Sequence, residues 1–423
     1  MKILILEPFY TNFHIDLAKS LTNNIESMVF NIGYIIYLRD SKINICHKKI
    51  LDYSYSQHDL YLAKNIKNLY TERIRKLKNN EPLEKDFEYM AKYVSYLREF
   101  LKDRKIELVL MHNDLRWQHA LAIEVCKELE IKYLVTERGI FRPNTTTIDL
   151  KGVNANSSIP RKKEFYENIN ISELNLMSYK SYKISIKDNL LTNIRFAFFI
   201  LLNKCGDILR INSYIKNKHY SLLNYIKLFI KQKYSVKDKI NLNLPEKFVF
   251  IPLQVNTDTQ ILVHSNFKTI QEFITLVEKS FYSLNSDLKL VFKIHPMEQG
   301  LVNYQFDSKS FVVENNTNEL IKKCEFLITI NSTVGFEAIQ NYKKVIVLGE
   351  AFYKINGIAI CSSKDNFLQD LKRTIEQKNE IDENIIDNFV NYLKYEYQVN
   401  GNLFNYDEKT LKDAKEKLYN AIK

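Results

Sequence analysis

Two strand-to-helix junctions between residues 288 and 338 constrain the fold of this chain more than any other feature. Leu288–Ile294 is a short apolar run rich in β-branched and aromatic residues, which predicts a buried parallel strand. The run stops at His295-Pro296, because proline cannot continue a central strand. A second buried strand, Phe326–Ile330, leads into the helix N-cap residue types Asn331-Ser332-Thr333 and then into a helical pattern at Val334–Gln340. Strands followed directly by helices predict an α/β fold with parallel sheets.

The same two junctions predict an anion site. Open parallel sheets bind ligands beyond the carboxyl ends of their strands, which is where His295, Ser332 and Thr333 are expected. A helix N-terminus offers free N–H groups to an anion, and an imidazole on a neighbouring strand end could neutralise or protonate a phosphate leaving group. The alternative is an ordinary helix cap and a histidine that happens to precede proline. Both junctions together, in one βαβ unit, favour the anion site.

The first part of the chain has the alternating pattern of an α/β domain. In chain order it predicts a strand at Lys2–Leu6, a helix at His14–Leu21, one or two strands in Met28–Leu38, helices from Leu60 to Arg104 with a break near Asn79–Pro82, a strand at Ile106–Met111, a helix at Asp114–Leu129 and a strand at Tyr133–Val135. The regular pattern then stops from Thr136 to Arg161, and so long a loop in a compact domain is usually functional or disordered. Its apolar residues argue against disorder.

Charged residues of this loop are candidates for a site at the same edge of the sheet. Glu137 directly follows a predicted strand, and Asp149 is the second carboxylate. For Arg142 and Arg161, a structural Arg–Glu pair is as plausible as a substrate contact. The triplet His112-Asn113-Asp114, at the end of the preceding strand, is a plausible second contributor to the same edge. The alternative is that Asn113 or Asp114 caps the next helix, and for Asp114 capping is the better explanation.

A basic, aromatic stretch separates the two halves of the chain. Arg195–Lys237 contains nine lysines and arginines and one acidic residue, Asp207, interleaved with the apolar run Phe196–Leu202. This pattern favours equally a segment that lies on anionic lipid and an interdomain helical connector. A nucleic-acid surface is a weaker alternative, because no recognised motif accompanies it.

A second α/β domain is predicted after this stretch. Lys247–Pro252 predicts its first strand, and a helix at Lys268–Leu284 follows. Strands at Phe311–Val313 and Val345–Leu348 flank the two junction strands. The tail, Asp365–Lys423, shows three helical patterns, which we expect to cross back to the first domain.

Composition excludes several function classes. The chain has 423 residues and a formal net charge of +11, which permits nucleic acid, anionic lipid or nucleotide-sugar partners. It contains neither the P-loop nor the G-x-G-x-x-G spacing, and no apolar run approaches the ~20 residues that span a bilayer. The N-terminus predicts a first strand, not a signal peptide. The five cysteines are far apart, which predicts reduced cytosolic thiols and no zinc site (Cys46, Cys126, Cys205, Cys324 and Cys361).

The motifs resemble a known group of enzymes. Glu137-Arg138-Gly139, His295-Pro296 and Ser332-Thr333, in that order, are similar to the three signatures of bacterial sialyltransferase-like enzymes. The longer strings at residues 135–161 and 248–349 resemble the bacterial capsule polysaccharide synthesis family, which includes β-Kdo transferases acting on lyso-phosphatidylglycerol. Arg138 stands where the sialyltransferase-like pattern often has a second acid. That departure makes Asp149 a rival to Glu137 for the catalytic role.

The resemblance implies a GT-B-like fold, in which two Rossmann-like domains face a central cleft and C-terminal helices pack back across them. The implied domains are residues 1–186 on the acceptor side, a connector at 187–243, a nucleotide-sugar domain at 244–364 and helices at 365–423. The implied donor is CMP-Kdo or another nucleotide sugar, with no metal or other cofactor. The implied acceptor is lyso-phosphatidylglycerol or a Kdo-primed lipid, at the inner-membrane surface of a Gram-negative bacterium.

The resemblance also implies roles for individual residues. The donor phosphate would lie at Ser332 and Thr333, with His295 and Lys293 balancing the charge of the departing CMP, and Arg142 or Arg161 would pair with the sugar carboxylate. The remaining implied contacts are Asn331 and Pro296 to the donor, Gln254, Asp258 and Gln260 to cytidine or acceptor hydroxyls, and Asn113 and Asn154 to the sugar or acceptor. For Asp258 in particular, helix capping is the alternative.

The role of the carboxylate depends on whether the reaction retains or inverts the configuration at the anomeric carbon. If the linkage is retained, Glu137, or Asp149 as its rival, attacks the anomeric carbon; if it is inverted, the same group deprotonates the acceptor hydroxyl.

Two other functions remain possible for this chain. One is a surface-glycan transferase that uses another nucleotide sugar. The other is a non-catalytic capsule assembly or export factor that binds lipid-linked glycan through Arg195–Lys237, together with other capsule proteins. A nucleic-acid partner is not expected.

Overall fold

A computed structural model describes residues 1–169, 186–217, 244–299, 302–376 and 381–422. The first half of the chain builds a seven-stranded sheet in the order β13-β6-β5-β4-β1-β2-β3. Its strands are β1 (Ile3–Leu6), β2 (Ile25–Val29), β3 (Lys42–Ile45), β4 (Leu108–His112), β5 (Lys132–Arg138), β6 (Thr145–Asp149) and β13 (Gln398–Asn400). The strands from β5 to β3 are parallel, whereas β6 pairs antiparallel with both β5 and β13.

Helices cover both faces of this sheet. They are α1 (Phe13–Leu21), α2 (His47–Leu51), α3 (Gln57–Asn65), α4 (Leu69–Leu77), α5 (Glu84–Asp103), α6 (Trp117–Glu128), α8 (Ile186–Ile208) and the C-terminal α15 (Glu408–Ile422), whereas the short α7 (Lys163–Glu167) packs on the second half. Successive side chains of a strand point to opposite faces. Ile3 and Ile5 therefore pack with α1, α8 and α15, and Leu4 and Leu6 pack with α5 and α6. Burial on both faces explains why the parallel strands are continuous apolar runs.

The second half builds a six-stranded parallel sheet in the order β12-β11-β10-β7-β8-β9. Its strands are β7 (Phe248–Pro252), β8 (Lys289–Lys293), β9 (Phe311–Val312), β10 (Phe326–Thr329), β11 (Lys344–Val347) and β12 (Ile360–Cys361). Its helices are α9 (Thr259–His264), α10 (Ile270–Tyr282), α11 (Thr317–Lys323), α12 (Thr333–Ile339), α13 (Phe367–Glu376) and α14 (Glu383–Asn391). Two parallel sheets, each covered by helices, confirm the predicted pair of Rossmann-like domains.

Strand order corrects one detail of the prediction. Strand β7 lies between β8 and β10, so the two junctions do not belong to one βαβ unit. The prediction of adjacent strand ends at His295 and Ser332 is therefore wrong. Both junctions nevertheless lie at the carboxyl ends of strands in one parallel sheet, because all its strands run in the same direction.

Two local predictions were also wrong. Of Met28–Leu38, predicted as one or two strands, only the first two residues belong to β2, and a 3-10 helix spans Ile32–Tyr37. A Cβ on Gly33 would lie 2.6 Å from the Phe199 carbonyl, so the close approach of α8 requires glycine there. The stretch from Thr136 to Arg161, predicted as irregular, contains β6 and a short 3-10 helix. The three helices predicted in the tail are confirmed as α13, α14 and α15, with a π-helix at Tyr392–Tyr397 and β13 in addition.

The two halves are tied together by side chains of the first half. The ammonium of Lys76 on α4 donates to the carbonyl of Ile261, 2.8 Å away, and to that of Ser265. Arg161 donates to the carbonyl of Ala351 at 2.8 Å. Ile159 and Tyr166 pack in the core of the second half, although they precede it in sequence by some eighty residues.

The basic stretch is described only in part. Helix α8 contains its first residues, and residues 218–237 lie outside the described ranges. None of the helices in the described ranges is both long and apolar enough to cross a bilayer.

Candidate active site

A cavity of about 790 Å³ lies between the two halves, at the carboxyl ends of both parallel sheets. This is the location where open α/β sheets bind ligands. Most of the predicted site residues line it: Asn113, Glu137, Arg142 and Asn154 from the first half, and Gln254, Asp258, Gln260, His295, Asn331, Ser332 and Thr333 from the second. Asp149, Arg161, Lys293 and Pro296 are not among the residues that line this cavity.

Glu137 is held on the rigid sheet near the end of β5. Its Oε2 accepts a hydrogen bond from Asn113 Nδ2 at 2.8 Å, and its Oε1 accepts from the backbone N–H of Arg138 at 2.9 Å. The side chain is 17% exposed, so one part of the carboxylate faces the cavity. The hairpin that follows needs Gly139, because a Cβ there would lie 2.1–2.3 Å from atoms of Thr145. This explains the glycine two residues after the acid.

His112, predicted only as part of the triplet His112-Asn113-Asp114 and given no role of its own, lines the cavity. It ends β4, the strand next to β5, and its Nε2 lies 3.6 Å from Glu137 Oε1. The ring is buried, and burial holds the pKa of His112 well below its ordinary value. The imidazole is therefore neutral at neutral pH and faces the carboxylate without a formal charge. The sequence signal for a role of His112 was its position at the end of a predicted strand, next to the strand that leads to Glu137.

An aromatic stack supports this pair. The ring of Phe9 lies 4.1 Å from that of His112, centroid to centroid. The guanidinium of Arg138 lies 5.3 Å from the Phe9 centroid and 5.5 Å from that of Phe404, which is cation–π distance. Arg138, the residue that departs from the sialyltransferase-like pattern, is thus held between two rings beside the cavity.

Glu7 and Arg116 complete the wall formed by the first half. Glu7 follows β1, is almost completely buried, and accepts hydrogen bonds from the N–H groups of Phe30 and Asn31 at 2.8 and 2.9 Å. Burial raises the pKa of Glu7. Arg116 donates to the Glu7 carbonyl at 3.3 Å and lies over the Tyr34 ring. The position of Glu7 directly after the first strand could have predicted it as a cavity residue, but the sequence analysis did not select it.

Three residues along this wall have left-handed backbone conformations. The φ angles are +35° at Glu7, +63° at Asn113 and +54° at Asn154. Asparagine adopts this region readily, whereas a glutamate does so only where surrounding contacts enforce it. The buried hydrogen bonds of Glu7 to Phe30 and Asn31 are such contacts.

His295 presents one ring nitrogen to the cavity. Its Nδ1 accepts a hydrogen bond from the backbone N–H of Met297 at 3.2 Å. In the neutral ring, an accepting Nδ1 places the proton on Nε2, which is then a donor. The side chain is half-buried beyond the end of β8. This geometry suits a hydrogen bond to an anionic oxygen.

Polar side chains around β10 are mostly engaged within the protein. The hydroxyl oxygen of Ser332 caps α12 by accepting from the Val334 N–H at 3.2 Å, and Asp258 caps α9. Asn331 and Gln254 bond to each other, with Gln254 Nε2 donating to Asn331 Oδ1 at 3.1 Å. The alternative of ordinary capping therefore describes the Ser332 and Asp258 side chains, whereas Thr333 and Gln260 line the cavity with more exposed side chains.

Asp149 has a structural environment. It is buried, and its carboxylate accepts from the backbone N–H groups of Lys151 and Ser158, both at 2.7 Å, and from the Tyr397 hydroxyl at 2.7 Å. A catalytic role for Asp149 is incompatible with this position, because its oxygens are occupied away from the cavity. Asp114 is similar: it accepts from the Val153 N–H instead of capping a helix.

Three other predicted contacts are also used within the protein or lie outside the cavity. Arg161 donates to the carbonyls of Ala351 and Ala155 and does not face the cavity as a partner for a sugar carboxylate. Lys293 donates to the Asn315 carbonyl at 2.6 Å and to Thr317 Oγ1 at 2.9 Å. Pro296 is exposed beside His295. Arg142 is therefore the predicted sugar-carboxylate partner that lines the cavity.

Two Rossmann-like domains with polar side chains facing one cleft define a GT-B-like protein. The particular family follows from comparison with known sequences. The model of the family described as "Capsule polysaccharide biosynthesis protein" matches residues 107–404, which is more than half of the chain, and this chain belongs to that family.

Two curated relatives have capsule-related names. "Capsule polysaccharide modification protein LipB" of Neisseria meningitidis serogroup A is 26% identical over 63% of this chain and 69% of its own length. "Capsule polysaccharide export protein KpsS" of Escherichia coli is 26% identical over 67% of this chain and 78% of its own.

Solved structures were also compared. The β-Kdo 2,7 transferase of Thermosulfurimonas dismutans KpsC has a TM-score of 0.41 at 13% identity, covering all of both chains. The UDP-GlcNAc 2-epimerase of N. meningitidis has a TM-score of 0.32 at 14% identity, covering all of this chain and 99% of its own. Similarity at this level does not define an activity.

Proposed function

We propose that this protein is a glycosyltransferase of bacterial capsular polysaccharide biosynthesis. In this proposal it transfers Kdo from CMP-Kdo to lyso-phosphatidylglycerol or a Kdo-primed lipid. The observation that carries the proposal is the shared cavity: Glu137 from the first half and His295 from the second line the same space. An acid opposite a phosphate-binding wall is what transfer from a nucleotide sugar requires.

The donor is proposed to bind at the wall formed by the second half. The Nε2–H of His295 would donate to a phosphate oxygen of CMP and stabilise the charge that develops as the C–O bond to the sugar breaks. Thr333 adds a hydroxyl on the same wall. Arg142, on the opposite wall, would pair with the sugar carboxylate. CMP is already a good leaving group, so the proposal needs no metal.

Glu137 is proposed as the reacting carboxylate. In a retaining reaction it attacks the anomeric carbon as CMP departs with the bonding electrons, and the acceptor hydroxyl then displaces it. In an inverting reaction it removes the proton of the acceptor hydroxyl. In either case Asn113 and the Arg138 N–H hold the carboxylate in place.

A peripheral position at the inner membrane is part of the proposal. On α8, the side chains of Leu191, Ile194, Phe198 and Leu201 are 45–57% exposed and recur at helical spacing, so they share one face. The opposite face packs Phe199 into the core of the first half. Helix α8 thus packs on the protein with one face, as a connector would, and exposes an apolar surface on the other. Its Lys204 lines the active-site cavity. A lipid acceptor would enter from this side.

The test is a panel of nucleotide sugars, including CMP-Kdo, offered with lyso-phosphatidylglycerol and read by mass spectrometry. The expected result is a mass increase of one Kdo residue with CMP-Kdo, unchanged by a chelator. Transfer from a different nucleotide sugar alone would refute the donor assignment. An export role, which the printed name of the E. coli relative suggests, predicts no nucleotide release with any donor.

A further inference from the structure

We propose that a second cavity beside the active site binds an acidic group of a saccharide acceptor; the inference rests on the proposed function and deepens it. This cavity, the acid subsite, has a volume of about 330 Å³ and lies between α1, α8 and the loop that precedes α15. Its lining comes from the N-terminal domain and from Phe404, Asn405 and Tyr406 of the tail, which packs back on that domain, on the side of the cleft that carries Glu137. None of the residues predicted from sequence as site residues lines it.

The rim of the acid subsite is positively charged. Arg39 and Arg195 both line it, both are exposed, and neither lies within 4 Å of a carboxylate in the described part of the chain. Asp16 is the one acidic residue among those that line the subsite, and its carboxylate accepts from the Tyr406 hydroxyl at 2.6 Å. Two guanidinium groups against one carboxylate that already has a partner favour an anionic ligand.

Two buried polar atoms at the subsite have no partner in the described structure. They are the hydroxyl of Tyr37 and Oδ1 of Asn12, whose side chains are 2% and 9% exposed. Buried polar atoms normally have a hydrogen-bond partner, so an exception calls for an explanation. Asn12 stands at the N-cap of α1 but forms no side-chain capping bond. Both atoms lie beneath the surface of the subsite, so a ligand that offers an acceptor and a hydroxyl donor would satisfy them once a side-chain rotation turns them toward it.

The chemistry of the lining identifies the class of ligand. Burial raises the pKa of Tyr37 to about 12, so its hydroxyl stays a donor at neutral pH and suits a carboxylate oxygen or ring oxygen. Asn12 Oδ1 accepts, which suits a sugar hydroxyl. Tyr10 and Phe404 add aromatic surface for the apolar face of a sugar ring. An acidic saccharide carries all three features, whereas inorganic phosphate carries one.

The acid subsite is adjacent to the active site. Tyr10 lines both cavities. Phe404, which lines the subsite, also stacks on the guanidinium of Arg138, and Arg138 lines the active-site cavity next to Glu137. A glycan whose reacting hydroxyl lies at Glu137 could therefore extend past Arg138 and place an acidic residue between Arg39 and Arg195. The subsite would select acceptors that already contain an acidic sugar.

Calorimetric titration of the full chain with trigalacturonate, maltotriose and inorganic phosphate tests the proposal. We expect trigalacturonate to bind, the neutral trisaccharide to bind at least tenfold more weakly, and the double variant Arg39→Gln/Arg195→Gln to lose at least tenfold in affinity for trigalacturonate. Tyr37→Phe keeps the packing and should lose severalfold. Arg210→Gln is the matched control, because Arg210 is an exposed arginine just after α8 that lines neither cavity.

Each outcome has a definite meaning. Equal binding of both trisaccharides, or equal binding of trigalacturonate by wild type and the double variant, would overturn the acid subsite. Phosphate binding as tight as that of trigalacturonate would show a simple anion site and also overturn it. A parallel titration with CMP separates the two proposals. Failure of CMP to bind would refute the proposed function, whereas the trigalacturonate titration would still test the acid subsite.

Discussion

The carboxylate of Glu137 faces the imidazole of His112 across two adjacent parallel strands, with Oε1 3.6 Å from Nε2. Both side chains come from strands and not from loops, so their separation is set by the sheet. The imidazole is neutral because burial lowers its pKa, so it lies beside the carboxylate without neutralising it, and Asn113 and the Arg138 N–H hold the carboxylate in place. A carboxylate held in this way is suited to act as a nucleophile or base.

Glu137→Gln should abolish transfer while donor binding survives. The amide is nearly isosteric but is neither a nucleophile nor a base, so we expect kcat to fall by roughly 10²–10⁴-fold or more. Transfer is measured by mass spectrometry and CMP affinity by calorimetry. Glu164→Gln, an exposed change on α7, is the control and should keep full activity. Full activity in Glu137→Gln would remove this residue from the chemistry.

His295→Ala should slow the release of CMP. The change removes the Nε2 donor from the phosphate wall, and loss of one such donor typically lowers kcat by about 10²-fold. Stopped-flow measurement of nucleotide release would detect the effect. His295→Gln, which keeps an N–H donor, should recover part of the rate. Wild-type turnover in His295→Ala would show that the phosphate wall is elsewhere.

The side chains that directly follow apolar strands were predictable as cavity residues. A strand such as Phe248–Pro252 or Lys289–Lys293 is visible in the sequence because both of its faces are buried. The topology of parallel sheets then places Glu137 at the carboxyl edge of the first sheet and His295 and Thr333 at that of the second, and the two edges line one cavity. This prediction uses only the residues of each strand and those that directly follow it, so it does not require knowing which distant residues contact them.

Asp149 and Arg161 could not be placed in the same way, because distant residues determine their roles. The Tyr397 hydroxyl that bonds Asp149 comes 248 positions later, and the Ala351 carbonyl that bonds Arg161 comes 190 positions later. Strand β6 is similarly hidden, since Thr145–Asp149 is poor in apolar residues and pairs with β13 from the tail. Motif spacing alone does not distinguish such structural residues from ligand contacts.

Asp149→Asn should destabilise the fold more than it affects catalysis. The amide nitrogen would replace one of two oxygens that together accept from buried N–H and hydroxyl groups, which leaves a donor unsatisfied. We expect the free energy of unfolding to fall by about 1–3 kcal/mol. Urea titration measures this loss, and kcat of the folded variant should stay within severalfold of wild type. Unchanged stability together with lost activity would restore Asp149 as a catalytic candidate.

Charges on the apolar face of α8 should weaken membrane binding. Phe198→Asp/Leu201→Asp places two carboxylates on the exposed face while Phe199 remains in the core. We expect binding to phosphatidylglycerol vesicles to fall at least tenfold, or ~1.4 kcal/mol. Co-sedimentation measures the effect, with phosphatidylcholine vesicles as the neutral comparison. Tyr61→Asp, an equally exposed site on α3, is the control; the same loss in that variant would mean that α8 has no special role.

Acid should destabilise the protein through buried histidines behind the site. His14 and His119 are completely buried, and burial lowers the pKa of each to about 3. The unfolded chain, with histidine near 6.5, therefore binds more protons, so stability is complete above pH 6.5 and is lost as the pH falls toward 3. At pH 5 each histidine costs about 2 kcal/mol, since one pKa unit corresponds to about 1.4 kcal/mol.

His14→Gln isolates this effect, because glutamine can keep a hydrogen bond to Thr136, whose Oγ1 lies 2.7 Å from the Nε2 of His14. The change itself costs some stability at every pH, so the quantity to compare is the loss between pH 7.5 and pH 5 in urea titrations. That loss should shrink by about 2 kcal/mol in His14→Gln, because one group that gains a proton only on unfolding is gone. In Tyr61→Gln, a change at an exposed neutral site on α3, the loss should match wild type. An identical loss in wild type and His14→Gln would mean that the imidazole is already protonated in the folded protein or that its burial is incomplete.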